Sequence, residues 1–442
     1  MPLTVFGFVG LYFSGIYMAF TRHPVWGLLP YCLALYLSPA HNWFGSYLPD
    51  LRWSLLASIC AVLSIFFNGS KLPAKTHWLK TGPARIILCY SLWMWIQYPW
   101  ALSKDMHIEG TVLITKYLLL YYIIYKVLNT DADFFKFFLF NIFGSYYVST
   151  RVLAYSLSGR VEGVGGPGMS DSNTLGMHMS LILIFAAMML LKKNTIFANR
   201  LYWRMCQFAI FVSAVYIANA VVQTISRSAV LGLVAGGMLL IVIKHRTVKK
   251  KFYLYLVFAF AGLIYFTPYT FWERLNTITE AVQGEEVEAS AYSRLVIASA
   301  QWKMFKENIF GNGHRGTQVL SPYYLGDEYL ATLYTGGRGR SSHCTFLTSL
   351  VEQGVPGALL YLMMVFWGIK TIFSYRKKDP VMYLYFMGVS ASLAAIFVSG
   401  IFVDYLKSEV QIYCFAMLAS LKEFQMRQQY QESLSQNPTA PS

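Results

Sequence analysis

Charged side chains are scarce in this sequence: Asp, Glu, Lys and Arg make up 13% of its 442 residues, about half the share in an ordinary soluble domain. That excludes a fold whose whole surface is solvated. Cysteine offers no framework either, since Cys32, Cys60, Cys89, Cys206, Cys344 and Cys414 are scattered, mostly inside apolar runs and never as CxxC. Neither a disulfide scaffold nor a zinc site is indicated. The N-terminus has no charged n-region or cleavage site, so the first apolar run reads as a retained span. Acids are the scarcer sign, 21 against 36 basic residues for a net charge of +15. The basic residues fall in short clusters between apolar runs, which is the topology signal of a membrane protein and not a nucleic-acid surface.

What is abundant is apolar chain. Hydrophobic residues make up 56% of the sequence, aromatic residues 17%, and the mean hydropathy is +0.44. Runs of roughly 17 to 25 apolar residues, each able to cross a bilayer as a helix, recur from end to end. The expected fold is all-α and integral to the membrane, a polytopic bundle of 12–13 transmembrane helices. The spans read 4–20, 25–38, 51–67, 84–102, 111–128, 133–156, 174–191, 203–222, 229–243, 252–267, 344–371, 381–403 and 409–421. This divides the chain into a helical part (1–267), a long loop (268–343), a C-terminal helical part (344–421) and a polar tail (422–442) expected to be disordered.

Lys244-His245-Arg246 and Lys249-Lys250-Lys251 follow one span, and Lys192, Lys193, Arg200 and Arg204 lie two spans earlier. By the positive-inside rule both clusters are cytoplasmic, with Lys71, Lys75, Lys80, Arg85 and Arg376-Lys377-Lys378. Alternation then puts 157–173, the turn at 223–228, the loop 268–343 and the connection at Asp404 on the other face.

The first of these outer segments, GRVEGVGGPGMSDSN with Arg160, is glycine-rich and ends in Asp171 and Asn173 just ahead of an apolar run. Either residue can cap that helix; lining a ligand cavity is the alternative, and the two are compatible. In the second, Arg227 stands so close to the apolar region that it needs a partner or a wet cavity, unless it snorkels to the interface. The third, the long loop, exceeds what a connector needs. It holds an amphipathic helix with Leu295, Ala298, Trp302 and Phe305 on one face, Ser290 as N-cap and Gly311 beyond its end. Arg294 near the start of that helix is unfavourable to the dipole and makes more sense where an anion binds. Then come His314 and Arg315, as possible cavity-lining residues, and a glycine and arginine segment with Arg338 and Arg340 that leads to His343. The helix after His343 carries a small-residue break at Gly354, Pro356 and Gly357. Taken alone, a histidine here more often sits at the interface and hydrogen-bonds there, so the case for chemistry rests on the rest of the chain.

Taken together, Arg227, Arg294 and His343 suit attack of a hydroxyl on a carbon that bears a diphosphate. Arginine binds phosphate oxygens in bidentate fashion, and two of them, assisted by Arg338 and Arg340, would stabilise the leaving charge. A neutral histidine takes the proton of the attacking hydroxyl, and the neighbouring Arg338 and Arg340 disfavour its imidazolium form. On the outer face of an energy-transducing membrane nucleotide sugars are not at hand, so an activated sugar must arrive on a polyprenyl diphosphate. No carboxylate pair of DxD type stands out beyond Asp171-Ser172-Asn173, so no cofactor and no divalent metal is expected.

The chain resembles the O-antigen ligase and polymerase superfamily of bacterial envelope glycosyltransferases. Within it the chain looks most like the O-glycosylation ligases found with exosortase and exopolysaccharide systems. The resemblance rests on RVEGVGGPGMSDSN at 160–173, TISRSAVLGL at 224–233, WERLNTI, SAYSRLVIASAQWKMF and GNGHRG across 272–316, and SSHCTFLTSLVEQGVPGALLYL at 341–362. It implies a GT-C-like fold in the bacterial inner membrane with the active site facing the periplasm. The implied reaction is metal-independent, inverting transfer of a glycan from an undecaprenyl diphosphate carrier to a hydroxyl of a glycan, lipid or protein acceptor. Arg227 and Arg294 match the family's diphosphate-binding arginines, and His343 its catalytic histidine. A repeat-unit polymerase with the same donor is the nearest alternative. A lipid-linked glycan transporter is the alternative from another class; it predicts mid-membrane charges and an internal repeat, whereas the charged candidates cluster at one face.

Overall fold

The computed structural model describes residues 2–155, 161–243, 289–332, 338–375 and 379–436. It is helical nearly throughout. The helices are α1 (Leu3–Thr21), α2 (Leu28–Tyr36), α3 (Trp53–Phe67), α4 (Gly82–Gln97), α5 (Lys104–Val127), α6 (Asp131–Tyr155), α7 (Ser172–Leu191), α8 (Arg200–Gln223), α9 (Arg227–Ile243), α10 (Ala289–Glu307), α11 (Gly316–Tyr324), α12 (Thr345–Ser374), α13 (Pro380–Ser399) and α14 (Glu409–Gln436). Among the described residues one pair of two-residue strands, β1 (Ala331–Thr332) and β2 (Arg338–Gly339), runs antiparallel.

Six of these helices, α1, α5, α7, α8, α12 and α13, are long and apolar enough to cross a membrane unaided. The protein is an all-α polytopic membrane protein. Its centre is α7 and α13, each 72% buried over its most apolar window, whereas α1 and α8 are 28% and 33% buried and form the rim. α13 packs most extensively on α9. Gly232 of α9 makes that approach possible, because a Cβ there would stand 2.7 Å from the Ala395 carbonyl oxygen, and small residues are how helices associate where lipid removes the hydrophobic drive.

The second expected span is the irregular one. A 3-10 turn at Pro24–Gly27 precedes α2, which has only nine residues, about 14 Å of rise against a hydrocarbon core of about 30 Å. Turn and helix together carry the chain from His23, which pairs with Asp133 at 3.5 Å, toward Asn42, which accepts from Arg151 at 2.8 Å. The expected span 252–267, the loop from 268 to 288 and the basic clusters at 244–251 and 376–378 lie outside the described residues.

The two ends of the bundle differ chemically. At one, Lys75 donates to the carbonyl of Leu128 (2.8 Å) and Lys192 pairs with Asp131 (2.9 Å). The opposite end is where α7, α9 and α12 begin. Two expectations are corrected by the structure. The polar tail is not disordered from Lys422 onward: α14 continues to Gln436, since Glu, Gln, Lys and Arg are good helix formers that extend a nucleated helix at little cost. α10 also turns a different face inward: Ile297, Ala300, Gln301 and Met304 are buried, while Leu295 and Trp302 are 67% and 47% exposed. It is already helical at Ala289, so Ser290 is not its cap.

Candidate active site

At that opposite end, backbone and side-chain bonds tie the bearers of the three key residues together. Asp171 caps α7 by accepting from the N–H groups of Asn173 and Thr174 (2.9 and 3.4 Å). This is the cap role expected of it. Asn173 accepts from the Ser226 hydroxyl at 3.0 Å, which joins the start of α7 to the turn before α9. In that turn Ile225 has φ +49°, an outlier for a β-branched residue that costs of order 1–3 kcal/mol. The strained turn sets Arg227, half-buried, as the first residue of α9.

The connection between α13 and α14 closes the ring. Ser399 donates to the Ser228 carbonyl (2.7 Å), and the Tyr405 hydroxyl donates to the Asn173 carbonyl (3.1 Å). Thr345, the first residue of α12, takes the Gly400 carbonyl with its N–H (2.8 Å) and accepts from Tyr405 N–H with its hydroxyl (2.9 Å). His343, half-buried, stands two residues ahead of that helix. On the loop side, Gln301 of α10 donates to the Ser342 hydroxyl at 2.8 Å. Gln301 is two turns beyond Arg294 and so on the same face of α10, and the Arg294 charge is felt at the Tyr405 phenol, as are those of Asp171 and Asp404. The elements bearing Arg227, Arg294 and His343 thus meet at one end of the bundle, where the positive dipole ends of α7, α9 and α12 also lie.

The other candidates separate. Arg338 is exposed, and its head group pairs with the surface acid Asp327 at 3.3 Å. Arg340 lends its N–H to the Ser321 hydroxyl (2.7 Å), and its buried Nε has no hydrogen-bond partner among the described residues. Arg315 takes a left-handed conformation (φ +59°) as N-cap of α11. Arg160 lies outside the described residues. Among the described residues no group of His, Cys, Asp or Glu is arranged to hold a metal ion.

His314 belongs to a set that the sequence did not single out. Glu352 Oε2 lies 3.1 Å from Lys407 Nζ and 3.2 Å from His314 Nδ1, and Lys407 also contacts His314 Nδ1. Lys407 donates to Glu352, and His314 Nδ1 lies within hydrogen-bond reach of both the carboxylate and the ammonium group. Burial first, then the Lys407 charge, holds the His314 imidazole below its usual range. Glu352 carried a signal, being an acid inside an apolar run beside the break; for Lys407 nothing in the sequence joined it to Glu352 and His314. Arg151 and Glu409 are engaged elsewhere, the first with Asn42 and the second with Tyr413, whose hydroxyl donates to it at 2.6 Å.

Asp404, next to this set, is pushed up to about 6, by burial first and by Glu352 second, against the pull of Lys407. The folded value exceeds the unfolded one, so between about pH 4 and 6 the native state binds more protons and stability falls as pH rises. Asp404→Asn is therefore expected to melt higher than the parent at pH 7, with the difference vanishing toward pH 4. Thermal unfolding in detergent across that range checks it.

Residues 212–362, about a third of the chain, match the family model described as O-antigen ligase. The match takes in Arg227, Arg294, His314, His343 and the break in α12. No curated protein matches the chain.

Proposed function

We propose that this protein, a member of the O-antigen ligase and polymerase superfamily through its residues 212–362, transfers a glycan from a polyprenyl diphosphate carrier to an acceptor hydroxyl. The observation that carries the reading is the meeting of the Arg227, Arg294 and His343 elements at one bundle end. In the reaction His343 takes the proton of the acceptor hydroxyl as its oxygen bonds the anomeric carbon. The bond from that carbon to the diphosphate breaks on the far side, which inverts the centre. Arg227 and Arg294 hold the departing diphosphate and its growing charge, and the unpartnered Nε of Arg340 adds a donor. No metal enters these steps.

The carrier is undecaprenyl diphosphate, whose tail would lie between helices at the lipid-facing rim. The end carrying Lys75 and Lys192 would face the cytoplasm of a bacterial inner membrane, and the reaction would run on the periplasmic side. Within the superfamily, the motif stretches favour the ligases found with exosortase systems, with a glycan, lipid or protein acceptor.

Purified protein given a lipid-linked oligosaccharide and an acceptor is expected to release undecaprenyl diphosphate. A single transferred glycan marks a ligase, and a ladder of repeats marks a polymerase. Absence of release with every acceptor class, while the donor is moved across reconstituted vesicles, overturns the transfer reading.

A further inference from the structure

α12 is broken at Gly354, whose φ of +66° and ψ of −169° are not helical. The freed backbone groups are met by the segment just after α10. Val355 N–H donates to Ile309 O (2.8 Å), Asn312 N–H to Val351 O (2.9 Å) and Gly313 N–H to Glu352 O (2.9 Å). From α4, Gln97 donates to Glu352 O (2.8 Å) and Trp93 to Gln353 O (2.7 Å). His107 of α5 accepts from His314 N–H (2.9 Å) and with its other nitrogen meets Met94 O (2.7 Å). The 309–314 segment is thus spliced into the break. On one side it continues from the helix that bears Arg294, and the helix half ahead of the break begins two residues after His343.

We propose that Lys407, clasped by Glu352 of the break and His314 of the spliced segment, is a positioning residue that sets Arg294 against His343. The inference rests on the transfer reading above for its consequence, though not for its geometry. Three chain segments meet at this one ammonium group: the break, the splice, and the 400–408 connection whose Tyr405 holds the start of α12. Its charged and titratable surroundings are Glu352, His314, Asp404, His107 and Arg315. The proposed reaction assigns none of the three clasp residues a role at the reacting atoms, so in this proposal the clasp acts through the helices it joins.

Glu352→Gln combined with Lys407→Met removes both charges together and avoids leaving one buried and unpaired. The expected result is a folded protein whose kcat falls about ten- to a hundredfold, the usual cost of a misplacement near 1 Å, with KM for the lipid-linked donor unchanged. A double variant with parental kcat, or one in which only KM rises, overturns the proposal. Should the double variant not accumulate, Lys407→Arg serves the same test, since it keeps the charge and shifts its place; parental kcat there overturns it too. A second readout needs no turnover. In a cysteine-free background, spin labels at Trp302→Cys on α10 and Ser341→Cys beside His343 report the distance between the two elements. Broadening of that distance in the clasp variants supports positioning, and an unchanged narrow distribution refutes it. If the parent protein transfers no glycan but the labels still report the clasp, the transfer reading fails and the geometry stands.

Discussion

Alanine at His343 is expected to slow glycan transfer by about 10²–10⁴-fold, the usual worth of a positioned general base, while donor binding persists. Alanine at Arg294 or Arg227 is expected to act differently. Each removes a charge-assisted donor from the departing diphosphate, which lowers turnover by about 10²–10³-fold and also weakens binding of the donor. Lysine at either position restores only part of the loss, because a point charge does not reproduce the planar fork of guanidinium. Release of undecaprenyl diphosphate from a lipid-linked donor, measured beside equilibrium binding of the same donor, separates the two patterns. Unaltered turnover in His343→Ala removes that residue from the mechanism.

Gly354→Ala is expected to abolish folding. The combination of positive φ with ψ near 180° is open essentially to glycine alone, and a Cβ at this position would stand 2.3 Å from the Phe310 carbonyl carbon and 2.5 Å from Ile309 O. The same is expected of Gly311→Ala, whose Cβ would meet Gly354 N at 2.4 Å. Backbone on both sides leaves nothing flexible to move aside, which puts each substitution in the range of about 4 kcal/mol or more. Pro356→Ala makes the contrast: a proline near a helix start is tolerated rather than required, and the Glu352 carbonyl it frees already has partners in Gly313 and Gln97. Its yield of folded protein in membranes, compared by size-exclusion profile with that of the glycine variants, is expected to match the parent.

Much of this architecture could be read from residue order, because its signals are local. The length of an apolar run fixes a span, and α7, α8 and α13 start and end within a few residues of the expected bounds. The cap at Asp171 and the break at Gly354 follow from chemistry contained in a handful of neighbours. The inward face of α10 was not legible. Its apolar stripe through Leu295 and Trp302 is real, but in a membrane protein lipid and interface also accept apolar side chains, so periodicity finds a stripe without saying what covers it. The pairing of Arg338 with Asp327 was not legible because the β1–β2 pairing brings the two together, nor was that of Lys407, because Glu352 and His314 lie 55 and 93 residues away. The polar stretch after Lys422 shows a further limit, since polarity alone does not separate coil from a helix that emerges from the bundle.

The splice also bears on the order in which the protein is made. Trp93, Gln97 and residues 309–313 all precede α12 in the chain, so a ribosome delivers every backbone partner of the break before the break itself reaches the membrane. Lys407 is the exception, emerging only after α13. Until then Glu352 waits without its cation, and a nascent chain halted at the end of α13 would hold an acid in place with only His314 beside it. Delivery of the connection that follows α13 is the step that settles this charge.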